Sequence, residues 1–483
     1  MARLLIFVAA ALFVCVPPAF AQRQGGAPLL PGQTNDPFPQ PIAATEGVIA
    51  VNFSEFASIP DIDGVPARMM LLVAEPGGRR LFVNDMRGPL YSVSADGRDV
   101  APYVNINDPK WGVSVNFQGR ERGFQSFAFH PQFNQAGARG FGKFYTFTDT
   151  SNQAPEPDFR STIPATTNDN VLLEWTAKTP GAAAYDGDAP RELIRYRDPY
   201  ANHNGGHIAF NPYAAAGSAD FGLLYVGVAD GGSGGDPQKM SQNLGLGFGK
   251  ILRIDPLGTN STNKKYGIPA SNPFVSTAGA LPEIYAYGVR NPQRLAWDAR
   301  SNRMFMSDIG QNIVEKVSLV TAGANLGWND WEGSFRFVTN NAVSTENPRS
   351  DPKVTYPFAE WGQPDPLLQS QSASVGVIVY RATEIPQLAN LVIFADMPSG
   401  EIFYVHADRL PSGGQDSIRR ILLNDAGAPK TMLQVIQGKN ATQGKTPATR
   451  ADLRFGEGAN QQIFLLNKAD GTIRRLVAGS AAR

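Results

Sequence analysis

Apolar positions along this chain come in short bursts. From residue 46 onward, apolar runs alternate with turns built from Gly, Asp, Asn and Pro, and no window sustains the 3.6-residue period of an amphipathic helix. One unit, strand, tight turn, strand, polar turn and third strand, returns six times, as in RMMLLVAEPGGRRLFVNDMRGPLYSV and ADLRFGEGANQQIFLLNKADGTIRRLV. In the six copies the second strand closes on a small or polar pair: Asn84-Asp85, Thr148-Asp149, Asp230-Gly231, Ser307-Asp308, Ala395-Asp396 and Asn467-Lys468. Six such units with room for a fourth strand in each predict an all-β fold, a six-bladed β-propeller with four-stranded antiparallel blades. A β-sandwich or a solenoid is the alternative. Inner strands of a propeller converge on a central channel, so residues far apart in sequence meet there, and long connections build one functional face. Two connections stand out. Residues 150–202, holding one predicted strand in NVLLEWTA, and residues 334–371 are expected to form the rim of a pocket.

The beginning of the chain changes the picture of where the protein works. MARLLIFVAAALFVCVPPAFAQ has a basic start, a short apolar run and an Ala19-Phe20-Ala21 cleavage pattern, which predicts a signal peptide over residues 1–21. It is too short to span a bilayer as a stable helix, so no membrane insertion is expected after cleavage, and a periplasmic or secreted location follows. Residues 22–45, rich in Pro, Gly and Gln, read as a flexible leader, with the propeller domain over 46–480. The only cysteine, Cys15, lies in the signal, so disulfides, thiolate catalysis and zinc–cysteine sites are excluded. Without Arg3, the 43 Lys and Arg fall one short of the 43 Asp and Glu, a balance that argues against a nucleic-acid partner. The 49 Gly, 37 Pro and 28 Phe favour many short strands over helices.

Candidate chemistry begins in ANHNGGHIAFNP, which holds two of the four histidines. A helical His-x-x-x-His metal site is opposed by Gly205-Gly206, and in a strand the two rings would lie about 13 Å apart. A single imidazole beside a glycine turn remains: His203 as a general base, His207 as a strand residue. Asp230 closes the strand that follows and could orient that imidazole, whereas a tight turn explains Asp230 or Asp236 equally well. Arg290, just before a predicted inner strand, suits an anionic ligand, although Arg-Asn-Pro is also a good turn. In DIGQNIVEKV, turn carbonyls at Gly310 and Gln311 with Glu315 nearby offer the oxygen-rich setting that Ca²⁺ prefers. In TRADLRFG, Arg450, Asp452 and Arg454 alternate and would share one strand face.

Taken together, HNGGHIAF, ADGGSGGDP, GKILRID, YGVRNPQRLAWD, DIGQNIVEKV, ANLGW, VYRATEIPQLANLVIFAD and RADLRFG, in this order, resemble the soluble sugar dehydrogenases that use pyrroloquinoline quinone (PQQ), the glucose/sorbosone and aldose sugar dehydrogenase family. The likeness runs over about residues 48–478. It implies a calcium-assisted quinoprotein in which His203 takes the proton of the substrate hydroxyl while hydride passes to PQQ. It further implies catalytic roles for Asp230 and Arg290, and cofactor contacts from Arg290, Asn291, Arg450 and Arg454. A cofactor-contacting acid or amide falls on Gln118 or Glu121, and calcium falls on the carbonyls of Gly310 and Gln311 with Glu315 beside them. The chain departs from the family in carrying Glu315-Lys316 where paired acids are common, and no counterpart of an additional cofactor-binding lysine is evident. Implied partners are a sugar substrate and an electron acceptor such as a quinone or cytochrome. Two other readings stand beside this one: a calcium-dependent lactonase-like propeller, and a non-catalytic extracellular binding propeller.

Overall fold

The computed structural model describes residues 28–479 apart from 165–167 and 370, so the expected signal peptide and the first leader residues lie outside the described residues. The chain is nearly all β. Among the described residues one α-helix occurs, Met432–Thr442, started by a capping box between Thr431 and Gln434.

The strands pair into antiparallel groups of four in chain order. The first comprises Met69–Ala74, Leu81–Asp85, Pro89–Val93 and Val100–Asn105. The second comprises Phe124–Phe129, Lys143–Thr150, Asp169–Thr176 and Arg191–Arg197. Next come Ile208–Phe210, Leu224–Val228, Lys250–Ile254 and Ile284–Tyr287, then Pro292–Trp297, Met304–Asp308, Val314–Val320 and Ala359–Gly362. A fifth group holds Ser374–Tyr380, Leu391–Asp396, Ile402–His406 and Arg419–Asp425. The last holds Arg454–Glu457, Ile463–Leu466 and Thr472–Val477, and its outer strand comes from the other end of the chain, Ile49–Ser58. The inner strands of the last and first groups also meet, Gly456 opposite Leu72. This arrangement is consistent with a β-propeller.

Faces of neighbouring groups cover one another, which explains strands such as Leu81–Asp85 and Ser374–Tyr380 that are buried along their whole length. Phe82, Phe129, Phe144 and Trp175 fill the layer between the first two groups, and Tyr145, Tyr196, Phe210 and Val226 fill the next. Truncating one of these aromatics to Ala costs about 3–5 kcal/mol.

Two sequence expectations change here. Residues 150–202 supply the third and fourth strands of the second group, not a single inserted strand. Within 334–371, Ala359–Gly362 is likewise the fourth strand of its group, and only the hairpin Phe335–Thr339 with Ala342–Ser344 is an addition. The described part of the leader is also packed. Gln33–Thr34 pairs with that hairpin, Ile42 N–H donates to Asp365 Oδ2 (2.8 Å), and Phe38 meets Phe335 edge to face.

The acid that ends the second strand has a recurring task. Asp85, Asp149, Asp308 and Asp396 each accept a hydrogen bond from a backbone N–H at the residue before the inner strand of the same group: Arg68, Gly123, Asn291 and Ala373. They latch the inner strands at the channel mouth. Asp230 and Lys468 hold the same place in their groups and make no such latch.

Candidate functional site

The channel mouth on the side of these acids opens into a cavity of about 540 Å³, within the range of small-molecule sites. His203, Arg290, Asn291, Gly310, Gln311, Arg450, Asp452 and Arg454 all line it, drawn together from several groups.

His203 is positioned by backbone, glycine and carboxylate together. Its own φ is +60°, in the left-handed region, and its N–H donates to Glu121 Oε2 (2.7 Å). A Cβ on Gly205 would lie 2.1 Å from the Phe147 ring, and one on Gly206 2.0 Å from the Pro292 carbonyl, so the turn needs both glycines. The imidazole Nδ1 lies 2.6 Å from Asp230 Oδ1. Asp230 also accepts from Trp328 Nε1–H (2.8 Å, Oδ2) and Gly232 N–H (3.0 Å, Oδ1). Burial would raise its pKa, but His203, the Arg290 guanidinium and the Gly232 N–H outweigh burial and hold the carboxyl below its usual range. An ionised Asp230 only accepts, so in the neutral imidazole Nδ1 carries the proton and Nε2 is left as the acceptor.

Arg290 and Asn291 are fixed through their backbone. The Arg290 carbonyl accepts from Asp230 N–H (2.8 Å), while Arg290 N–H (3.2 Å) and Asn291 N–H (2.7 Å) donate to Asp308. The guanidinium lies over Trp328 and donates to Gln311 Oε1 (3.0 Å) and the Ile309 carbonyl (3.2 Å). Lys316, which interrupted the expected pair of acids, is buried 3.1 Å from Asp308 Oδ2 and braces the same latch away from the cavity.

The loop carrying Gly310 and Gln311 hangs from two carboxylates. Glu332 Oε1 accepts from the N–H groups of Gln311, Asn312, Ile313 and Val314 (2.9–3.1 Å). Glu315 accepts from Gly310 N–H (3.1 Å), Ser374 N–H (2.7 Å) and Gln363 Nε2 (2.7 Å). Glu315 therefore does not face the cavity: its oxygens are spent on loop and strand donors, and burial pushes its carboxyl up to about 7. Gln118 does not reach the site either. It is exposed, and Glu121 lines the cavity in its place. Asp236 caps the Met240 and Ser241 N–H groups (2.9 Å each) and stays outside. His207 accepts from Leu295 N–H (3.1 Å) beneath the surface, where burial drives its pKa well down.

The alternation of Arg450, Asp452 and Arg454 turns out to be a turn and not a strand face. Asp452 has φ +46° and the strand begins at Arg454. All three still line the cavity. Burial raises the Asp452 carboxyl, and Lys468, Arg450 and Arg454 pull it below the usual range. Arg454 donates to the Leu453 carbonyl (2.9 Å), and its buried Nε has no partner. Three cavity cations went unread in the sequence, Arg68, Arg120 and Lys468; the last replaces the recurring acid in the sixth unit, and that substitution was its signal. Burial, then Arg454, holds the Lys468 ammonium well below its normal value. Arg68, Arg120, Arg290, Arg450, Arg454 and Lys468 thus face Glu121 and Asp452, an excess of basic residues that suits a compact polyanion. Among the described residues no group of three or more His, Cys, Asp or Glu stands ready for a metal.

Fold and site together define a propeller-type protein with a hydrogen-bonded His203–Asp230 pair in a cation-lined cavity. The pattern of the Glucose / Sorbosone dehydrogenase family matches residues 69–427, and the chain belongs to that family. Among relatives, the HIPL2 protein of Arabidopsis thaliana is 27% identical over 82% of this chain and 60% of its own length. Human Hedgehog-interacting protein is 28% identical over 49% of this chain and 31% of its own. The chain thus spans well under two thirds of these curated relatives. The PQQ-bound aldose sugar dehydrogenase of Streptomyces coelicolor superposes with a TM-score of 0.55 at 19% identity, covering 88% of this chain and 96% of that one, a likeness of fold. Among the described residues no helix is long and apolar enough to cross a membrane.

Proposed function

We propose that this protein is a quinoprotein dehydrogenase that oxidises an aldose or related sugar alcohol, on a six-bladed propeller whose blades are the antiparallel groups described above. The observation that carries this reading is the His203–Asp230 pair, with Nε2 free to accept, at a cavity lined by six basic residues.

The residues fit PQQ, a tricarboxylated quinone. Arg68, Arg290, Arg450, Arg454 and Lys468 would meet its carboxylates, and the unpartnered Nε of Arg454 is a buried donor in want of an acceptor. When bound, PQQ supplies an electrophilic quinone carbonyl that takes a hydride. His203 Nε2 accepts the hydroxyl proton of the substrate as that hydride leaves its carbon, and Asp230 stabilises the imidazolium that forms. An electron acceptor such as a quinone or cytochrome would be the second partner of the reaction. Calcium would be held by the backbone carbonyls of Gly310 and Gln311 and would supply Lewis acidity, while Glu315 and Glu332 are engaged with backbone donors. The signal-peptide reading supports a periplasmic or secreted site of action.

The purified protein mixed with PQQ and Ca²⁺ is expected to show the absorbance of bound quinone and sugar-dependent dye reduction. His203→Ala is expected to keep the quinone and lose turnover at least about 100-fold. No quinone bound at micromolar concentration would end this reading. A second reading, a binding propeller, is favoured by the likeness to Hedgehog-interacting protein. Bound quinone without turnover on any sugar or alcohol would favour it.

A further inference from the structure

Arg294 sits in the inner strand Pro292–Trp297, four residues after the cavity-lining Arg290, and its side chain runs into the channel where it is 5% exposed. Its Nη1 donates to the Gln293 carbonyl (2.9 Å), its Nη2 to the Met70 carbonyl, and its buried Nε has no partner. Gln293 and Met70 line the polyanion cavity, whereas Arg294 lines a second cavity of about 590 Å³ further along the channel. The guanidinium therefore lies in the partition between the two. Among the described residues no carboxylate comes within ion-pair distance of it; Glu457, on the wall of the second cavity, takes its hydrogen bond from Tyr213 (3.4 Å). Burial and then Arg454 push the Arg294 guanidinium down to about 9, and Arg454 too has a buried Nε without a partner.

A buried guanidinium satisfied only by carbonyls is strongly unfavourable, and two near each other are more so. An all-apolar plug would close the channel at lower cost. Such a charge is retained where something that binds compensates it.

We propose that Arg294 is a positioning residue for the anionic cofactor, a positive charge beneath the cavity floor whose burial is offset when the polyanion binds above it. This rests on the quinoprotein reading. Arg294 acts through the floor and touches neither substrate nor reacting atoms.

The test uses the full-length protein without cofactor, as wild type, Arg294→Met and Arg294→Lys. Thermal midpoints of the cofactor-free proteins and PQQ dissociation constants from absorbance titration are the readouts, so no turnover is needed. Arg294→Met is expected to melt at or above the wild-type temperature and to bind PQQ at least tenfold more weakly, with Arg294→Lys in between. A lower melting point with unchanged PQQ affinity in both variants would overturn the proposal and leave Arg294 a structural plug. If wild type binds no PQQ, the quinoprotein reading fails, and inorganic pyrophosphate then serves as the polyanion. Pyrophosphate that raises the melting point of wild type and not of Arg294→Met supports the anchor, and equal effects on both overturn it.

Discussion

At the scale of single residues, the chemistry turns on which nitrogen of His203 carries a proton. Asp230 receives two other N–H donors and lies under the field of Arg290, so it is locked as an acceptor and fixes the proton on Nδ1. Asp230→Asn keeps the size and reverses that logic. The new amide either offers an N–H to Nδ1, which shifts the proton to Nε2, or turns its oxygen to Nδ1 and sets its N–H against the Trp328 Nε1–H donor; the first orientation keeps the Trp328 hydrogen bond and removes the base. Turnover of the reconstituted protein is expected to fall on the order of 100- to 10,000-fold with PQQ affinity little changed. Stopped-flow reduction of bound quinone checks this, and a loss under tenfold would remove His203 from its role as base. The His203–Asp230 pairing is legible in the sequence because both residues end or precede strands of one unit. Arg294 is not, since an arginine inside an apolar strand looks the same whether it faces solvent or the channel. Gln118 and Glu121 stand three residues apart in one loop, and only the fold decides which of them turns inward.

At the scale of elements, the recurring acid accounts for much of what the sequence does and does not disclose. Its spacing marks the units, and in four of them it latches the residue before the inner strand. Function lies in the two departures: Asp230 is released from latching and orients His203, and Lys468 turns the acid into a cation at the cavity. Glu315 misleads a reading by spacing for the same reason that strands alternate. It sits one residue from Lys316 on the opposite face, and its oxygens hold the loop from behind. Glu332, missed entirely, is 21 residues from Gln311 and belongs to a separate short strand, so no local motif joins them. Its single oxygen gathers four backbone N–H groups, so Glu332→Ala leaves those of Ile313 and Val314 buried without an acceptor, each costing about 1–3 kcal/mol. The variant is expected to melt lower and to need more Ca²⁺ for turnover, because the Gly310–Gln311 carbonyls lose their fixed presentation. A calcium titration of dye reduction with an unchanged midpoint would reject that link.

At the scale of the whole molecule, both ends of the described residues are committed to structure that the repeat pattern alone cannot assign. Composition marks 22–45 as a leader, but composition reports only the lack of an apolar period. It is blind to backbone pairing of the kind that ties Gln33–Thr34 to the hairpin at 342–344, or to the Ala44 carbonyl that receives Arg420 Nη1 (2.8 Å). The next segment, Ile49–Ser58, bears a larger load. It pairs antiparallel with Thr472–Val477 and parallel with Arg419–Asp425, so one strand completes the last group and joins it to the one before. Two truncations separate these tasks. A chain starting at residue 46 loses the leader contacts and keeps the closing strand; it is expected to unfold in one transition at a lower temperature, in the same oligomeric state as the full chain. A chain starting at residue 60 exposes two strand edges at once and removes the join between the last groups, so the outermost units fray and the open edges associate. It is expected to elute as aggregate or to melt broadly, and to lose quinone binding although no cavity residue has been deleted. Size-exclusion chromatography with far-ultraviolet melting curves decides the matter. If the shorter chain melts as cooperatively as the longer one, closure by Ile49–Ser58 is not what holds the inner strands around the site.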